Sequence, residues 1–214
     1  MLNQMFLVID ADLAATRSDI RPIHVFLGDY VDRGPDTRAT VDLLIERSRH
    51  HETIFLKGNH EALLMDVVKD PLSVGDWLQF GGLQTLISYG LKPSRHATDA
   101  EQIDLAMEFA KMLPAAHWRF FQSLQPSFTC GDFFFAHAGV RPGVPLAEQH
   151  ERDLLWIREE FLASNDDFGK FIVHGHTPVV KPDFRRYRLN IDTGAYATGN
   201  LTLLTIQDQR ILTF

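Results

Sequence analysis

The sequence contains one cysteine, Cys130, among 214 residues. That excludes an internal disulfide framework and fits a reducing, cytoplasmic setting. A lone free cysteine is expected as a small buried hydrophobe. Positive charge is also scarce: 21 Lys and Arg face 28 Asp and Glu, for a formal net charge of −7. This argues against a general nucleic-acid scaffold or a membrane-surface binder, both of which need clustered basic side chains. No apolar run approaches the length of a membrane span. The opening segment, MLNQMFLVIDADLAATR, has no basic stretch ahead of its short apolar run, as a secretory leader would have. Internal repeats, low-complexity tracts and Pro/Ser/Gly-rich linkers are missing too. A chain of this size suits one sizeable core, so residues 1–214 read as a single domain. Histidine, by contrast, is plentiful, with ten residues, and metal chemistry is one use for it.

Strands and helices alternate through the first half. Ile23–Leu27 and Thr53–Leu56 are short apolar runs, each soon followed by a glycine, and read as buried strands. Between them, Pro35 opens a helix whose face is traced by Val41, Leu44, Ile45 and Ser48. Glu61–Val68 is expected as helix. A helical middle follows from about Trp77 to Phe121, broken at Gly81-Gly82, Gly90 and Pro114. Strands are then expected at Phe133–Ala136, Phe171–Val173, Tyr187–Ile191, Leu201–Ile206 and Arg210–Phe214, the last two as a hairpin. This order predicts an α/β sandwich around a mixed sheet.

Four polar clusters follow apolar strands: Gly28-Asp29-Tyr30-Val31-Asp32-Arg33-Gly34, Gly58-Asn59-His60-Glu61, His137-Ala138-Gly139 and Gly175-His176-Thr177. Each alone has an ordinary explanation as turn chemistry. Together, each at the end of a predicted strand, they describe a site at the carboxyl edge of an open α/β sheet. Asp, Asn and His supply the oxygen and nitrogen ligands that suit Mn, Fe or Zn. The adjacent glycines let the backbone turn sharply toward a shared point.

The sequences GDYVDRG, GNHE, HAG and GHTPVVKP, followed by IDTGA, resemble the successive motifs of bacterial serine/threonine phosphoprotein phosphatases. These belong to the calcineurin-like metallophosphoesterases. The resemblance implies an α/β (α+β) fold, a β-sandwich flanked by helices. It also implies a centre of two divalent metal ions, manganese being favoured here. Asp29 would be the bridging carboxylate, and Asn59, His137 and His176 would complete the second ion's ligands. His60 would be the general acid, oriented by Asp32, while Arg33 and Arg158 would bind phosphate oxygens. The implied reaction is hydrolysis of phosphate monoesters by a metal-bound hydroxide, on phosphorylated proteins or small phosphoesters. The same motifs serve enzymes that cleave dinucleoside polyphosphates or RNA caps. His174 lies two residues before His176 and could touch the metal or substrate. His24, His50, His51, His96, His117 and His150 have no motif around them and read as structural or surface residues. Glu61 reads as a helix-start or supporting residue, and Trp77, Phe80 and Trp118 as packing of the helical middle.

The family pattern begins with a strand and an Asp-x-His motif for the first metal, and no Asp-x-His occurs in this sequence. Either the first strand and motif are missing, or Phe6–Ile9 is that strand and Asp10-Ala11-Asp12 replaces the motif. Leu2, Met5, Phe6, Ile9 and Leu13 fall on one helical face, which favours the first. A protein lacking the first motif is expected to be weakly active, or only to bind metal or phosphate.

Overall fold

The computed structural model describes residues 1–16, 19–94, 96–207 and 210–213. Leu2–Ala15 is one continuous helix, α1. Its period is helical because Phe6 is buried while Leu2 and Ile9 pack on the same cluster. The alternative placing a strand at Phe6–Ile9 is therefore overturned. Asp10 turns outward, and its Oδ1 accepts a 2.6 Å hydrogen bond from Arg47.

His24–Phe26 (β1) leads through Thr37–His50 (α2) to Thr53–Phe55 (β2), and β1 and β2 pair in parallel. Asn59–Lys69 (α3) starts four residues after β2. The helical middle resolves into Val74–Gln79 (α4), Gly82–Ser88 (α5), Asp99–Met112 (α6) and Ala115–Gln122 (α7). Its breaks fall at the expected glycines and proline. Thr98 and Glu101 form a reciprocal cap at the start of α6, satisfying two N–H groups that the helix leaves free. Trp77, Leu86, Phe109 and Phe121 are fully buried among these helices, with α2 and α3.

Ser127–Cys130 (β3) and Phe133–Ala136 (β4) are antiparallel. Glu151–Trp156 (α8) and Glu159–Leu162 (α9) precede Phe171–His174 (β5), Asp183–Phe184 (β6) and Arg188–Asn190 (β7). These strands form one sheet in the order β3-β4-β5-β7-β6, parallel across β4, β5 and β7. Ala195–Thr198 (α10) leads to the hairpin Leu204–Gln207 (β8) and Arg210–Thr213 (β9). The expected last residue of that hairpin, Phe214, and its turn lie outside the described residues. Two short elements, β3 and β6, had no clear apolar signal. Cys130 corrects the expectation of burial: it lies exposed in the edge strand β3.

Side-chain alternation explains the layers. Phe134, Ala136 and Ile172 face a cluster under α8 and α9. Phe133, Phe135, Phe171 and Val173 face the other way, onto Val25, Ile54, Leu204 and Ile206. The five-stranded sheet is thus covered on both faces, which suits its near-continuous apolar strands. No helix among the described residues is long and apolar enough to cross a membrane.

Candidate metal centre and active site

The carboxyl ends of the parallel strands converge. Asp29 follows β1, Asn59 and His60 follow β2, His137 follows β4, His176 follows β5 and Asp192 follows β7. The backbone is strained at several positions along this edge. Among the described residues, Asp29, Asp32, Arg33 and His176 are the non-glycine residues with positive φ, from 57 to 68°. That conformation costs a residue with a Cβ roughly 1–2 kcal/mol, and all four positions are candidate site residues. Gly58 permits the closest approach of two loops, since a Cβ there would collide with Asp29 Oδ1.

Glu61 holds these loops together. It is fully buried, and four backbone N–H groups donate to it. Oε2 accepts from Asp29 at 2.9 Å and Gly58 at 2.8 Å, and Oε1 from Tyr30 at 2.6 Å and Val31 at 3.2 Å. Burial first, and then the Asp29 charge, push its carboxyl up to about 7, against the pull of the N–H donors.

The candidate ligands meet at one point. His137 Nδ1 lies 2.7 Å from the Leu27 carbonyl, which can only accept, so Nδ1 donates there and Nε2 is turned toward the centre. That Nε2 lies 3.0 Å from Asn59 Oδ1, 3.2 Å from His176 Nδ1 and 3.4 Å from Asp29 Oδ1. Asn59 Oδ1 is also 3.0 Å from His176 Nδ1. Asn59, His137 and His176 are all buried. His176 Nε2 has no hydrogen-bond partner among the described residues, and burial, then His137, pull this ring down to about 3. Nitrogen and oxygen acceptors this close repel one another unless a proton or a cation lies between them, and a divalent cation at their centre serves all of them at once. The residues therefore fit a divalent metal ion. Among the described residues, Asp29, His137 and His176 are the group of His, Cys, Asp or Glu atoms close enough to share an ion. The alternative in which Asp10 and Asp12 rebuild a first metal site is not met: both lie on α1, and Asp10 pairs with Arg47 on α2.

Beside this point, His60 Nδ1 is 2.7 Å from Asp32 Oδ2, with both groups buried. Asp32 is held in turn by the Trp77 indole N–H, 3.0 Å from both its oxygens, and by the Thr85 hydroxyl at 2.7 Å. Burial raises the Asp32 carboxyl. Burial alone would lower His60, but its bond to Asp32 and the charges of Asp29, Asp32 and Glu61 outweigh it and raise the ring. His60 Nε2 faces Asp29 Oδ2 at 3.9 Å. Arg33 and Arg158 are exposed at the rim. Arg33 Nε donates to the Phe80 carbonyl at 3.4 Å, and the Arg158 charge acts on His176.

The structure thus brings Asp29, Asp32, Arg33, Asn59, His60, His137, Arg158 and His176 into one region. His174 lies elsewhere: it is fully buried against Phe161 and Arg188, and burial followed by Arg188 pulls it down to about 3. Three contributors escaped the sequence reading. Trp77 is more than packing, because its N–H fixes Asp32. Thr85 had no motif at all. Asp192, within IDTGA, lies close enough to Asp29, His137 and Arg33 to feel their charges, and burial raises its carboxyl.

Clustered His, Asn and Asp ligating atoms beside a carboxylate-supported histidine and two rim arginines form the arrangement of a metal-dependent phosphoester hydrolase. Residues 9–203 match the family of calcineurin-like phosphoesterases, and the chain belongs to it. Among its relatives is the asymmetrical bis(5'-nucleosyl)-tetraphosphatase PrpE of Anoxybacillus flavithermus, 25% identical over 93% of this chain and 84% of that protein. The enzyme of the same name from Geobacillus thermodenitrificans is 27% identical over 84% of this chain and 73% of its own length. Among solved structures, a candidate diadenosine tetraphosphatase shares the fold at TM-score 0.59 and 18% identity, covering 95% of this chain and 86% of that one. A Saccharomyces cerevisiae protein serine/threonine phosphatase with similarity to human phosphatase PP5 shares it at TM-score 0.55 and 15% identity, covering 99% and 76%.

Proposed function

We propose that this protein hydrolyses phosphoanhydride bonds of dinucleoside polyphosphates, with Asp29, Asn59, His137 and His176 as ligands of a divalent metal ion. The observation that carries the substrate class is the name shared by relatives that align along most of both chains. Manganese is the proposed ion and the cytoplasm the proposed location, with residues 1–214 acting as one domain. Bound there, the ion would neutralise phosphate charge and lower the pKa of a coordinated water. Arg33 and Arg158 bind the phosphate oxygens, for which guanidinium has matching geometry. His60 gives its proton to the departing oxygen. Asp32 keeps that proton available by accepting from Nδ1, while Trp77 and Thr85 keep Asp32 in place.

One observation supports serine/threonine phosphatase activity as a second reading. An acid held protonated by a buried carboxylate suits an alkoxide leaving group, which needs a proton far more than a nucleotide phosphate does. Turnover of diadenosine tetraphosphate and of a phosphoserine peptide in Mn²⁺ separates the two. Preference for the dinucleotide supports the proposal, and preference for the peptide overturns it.

A further inference from the structure

Two exposed aromatic rings border the arginine side of the site, and the chemistry above uses neither. Phe80 follows α4 and is 38% exposed. Its ring stands across from His60 at 6.3 Å and from Trp156 at 5.6 Å, both near perpendicular. Tyr196, on α10, is 56% exposed and holds the Arg33 guanidinium 4.9 Å from its ring centroid. Arg33 also donates to the Phe80 carbonyl. One rim arginine therefore touches both aromatic residues.

Exposed apolar side chains are common singly. Two large rings joined by one phosphate-binding guanidinium, next to the candidate acid, are a different matter. A phosphate group gains nothing from a ring, whereas a nucleobase stacks on one without regard to sequence. We infer that Phe80 and Tyr196 form a nucleobase-stacking subsite for the nucleotide whose phosphate lies against Arg33. The inference rests on the dinucleotide reading and adds the part of the substrate that the metal centre cannot recognise. Arg33 supplies the junction: its charge meets the phosphate, and its flat face orders Tyr196.

The test compares AMP with ribose 5-phosphate in equilibrium binding to the Mn²⁺-loaded protein. The two ligands share a phosphate and a sugar and differ in the base. A stacked base predicts an AMP preference of about 5- to 150-fold. Tyr196→Leu and Phe80→Leu should each shrink that ratio, and the double variant should bring it near one. Ribose 5-phosphate affinity should fall by less than that of AMP, and Tyr196→Phe should keep the preference. Tyr196 is largely exposed, so its variants keep the test alive even if Phe80→Leu folds poorly. The subsite is overturned if the wild type shows no preference, if the ratio survives in the variants, or if both ligands weaken together. Diadenosine tetraphosphate turnover by the wild type scores the dinucleotide reading separately. Turnover with an unchanged ratio in the variants sinks the subsite alone. A ratio lost in the variants without turnover sinks the dinucleotide reading alone.

Discussion

Replacing Glu61 with Gln should damage both the fold and the metal centre, and the size of the effect follows from four hydrogen bonds. Oε2 serves the N–H groups of Asp29 and Gly58, and Oε1 those of Tyr30 and Val31. A glutamine presents one oxygen and one NH₂ group. Whichever way it lies, two buried N–H donors lose their acceptor and face another donor. Each orphaned donor costs about 1–3 kcal/mol, so the pair costs about 2–6 kcal/mol. Burial disfavours the charged carboxylate, so losing that charge offsets part of this cost. A cost of this order is a large share of the about 5–15 kcal/mol of a typical domain. Urea unfolding of the metal-free protein reads the stability. Calorimetric titration with Mn²⁺ reads the site, where loss of the Asp29 anchor should weaken binding about 10- to 100-fold. An unfolding midpoint and a Mn²⁺ affinity both equal to wild type would refute the assignment of Glu61 as the clamp between the two loops. Lower stability with unchanged affinity would confine it to the fold.

His60→Asn should leave Mn²⁺ content near normal and lower turnover, by about 10²- to 10⁴-fold on a phosphoserine peptide and by less on diadenosine tetraphosphate. Metal analysis beside steady-state rates checks this, and a large loss of bound metal would contradict the acid role. Gly58→Ala sets a Cβ against Asp29 Oδ1, so Mn²⁺ affinity should fall by at least about tenfold, read by the same titration. Acid should destabilise the protein through His24, which burial, then Arg47 and His51, hold down at about 4. The unfolded value is about 6.5. Between the two, the unfolded chain binds more protons, so this contribution is complete above about pH 6.5 and is lost as pH falls toward about 4. His24→Gln should lessen the slope of the unfolding midpoint across that window, the parts from His174 and His176 remaining, and an unchanged slope would count against it.

Much of the site was legible because its residues come in short runs at strand ends. Gly-Asp, Gly-Asn-His, His-Ala-Gly and Gly-His-Thr each place a candidate ligand where an apolar strand stops, so pattern and position agree. The order of the elements also followed from apolar periodicity, including the helix that carries Asp10. What the sequence concealed depends on contacts between distant segments. Trp77 and Thr85 meet Asp32 from 45 and 53 residues away, and an indole in an apolar helical stretch looks like packing. The reach of Glu61 across to Asp29, Tyr30 and Val31 is equally invisible in a helix-start glutamate. His174 and His176 differ by two residues, yet His174 ends β5 and is buried in the core, whereas the turn after β5 carries His176 to the centre. Cys130 is exposed because β3 is an edge strand, and nothing in its composition marks that edge.

The most direct measurement is a Mn²⁺ titration of metal-free protein beside its His137→Ala variant. Saturable binding by the native protein and its loss in the variant are expected, because His137 Nε2 lies within 3.0–3.4 Å of the Asn59, His176 and Asp29 atoms proposed as ligands. Equal binding by the two proteins would contradict this and place the ion somewhere else.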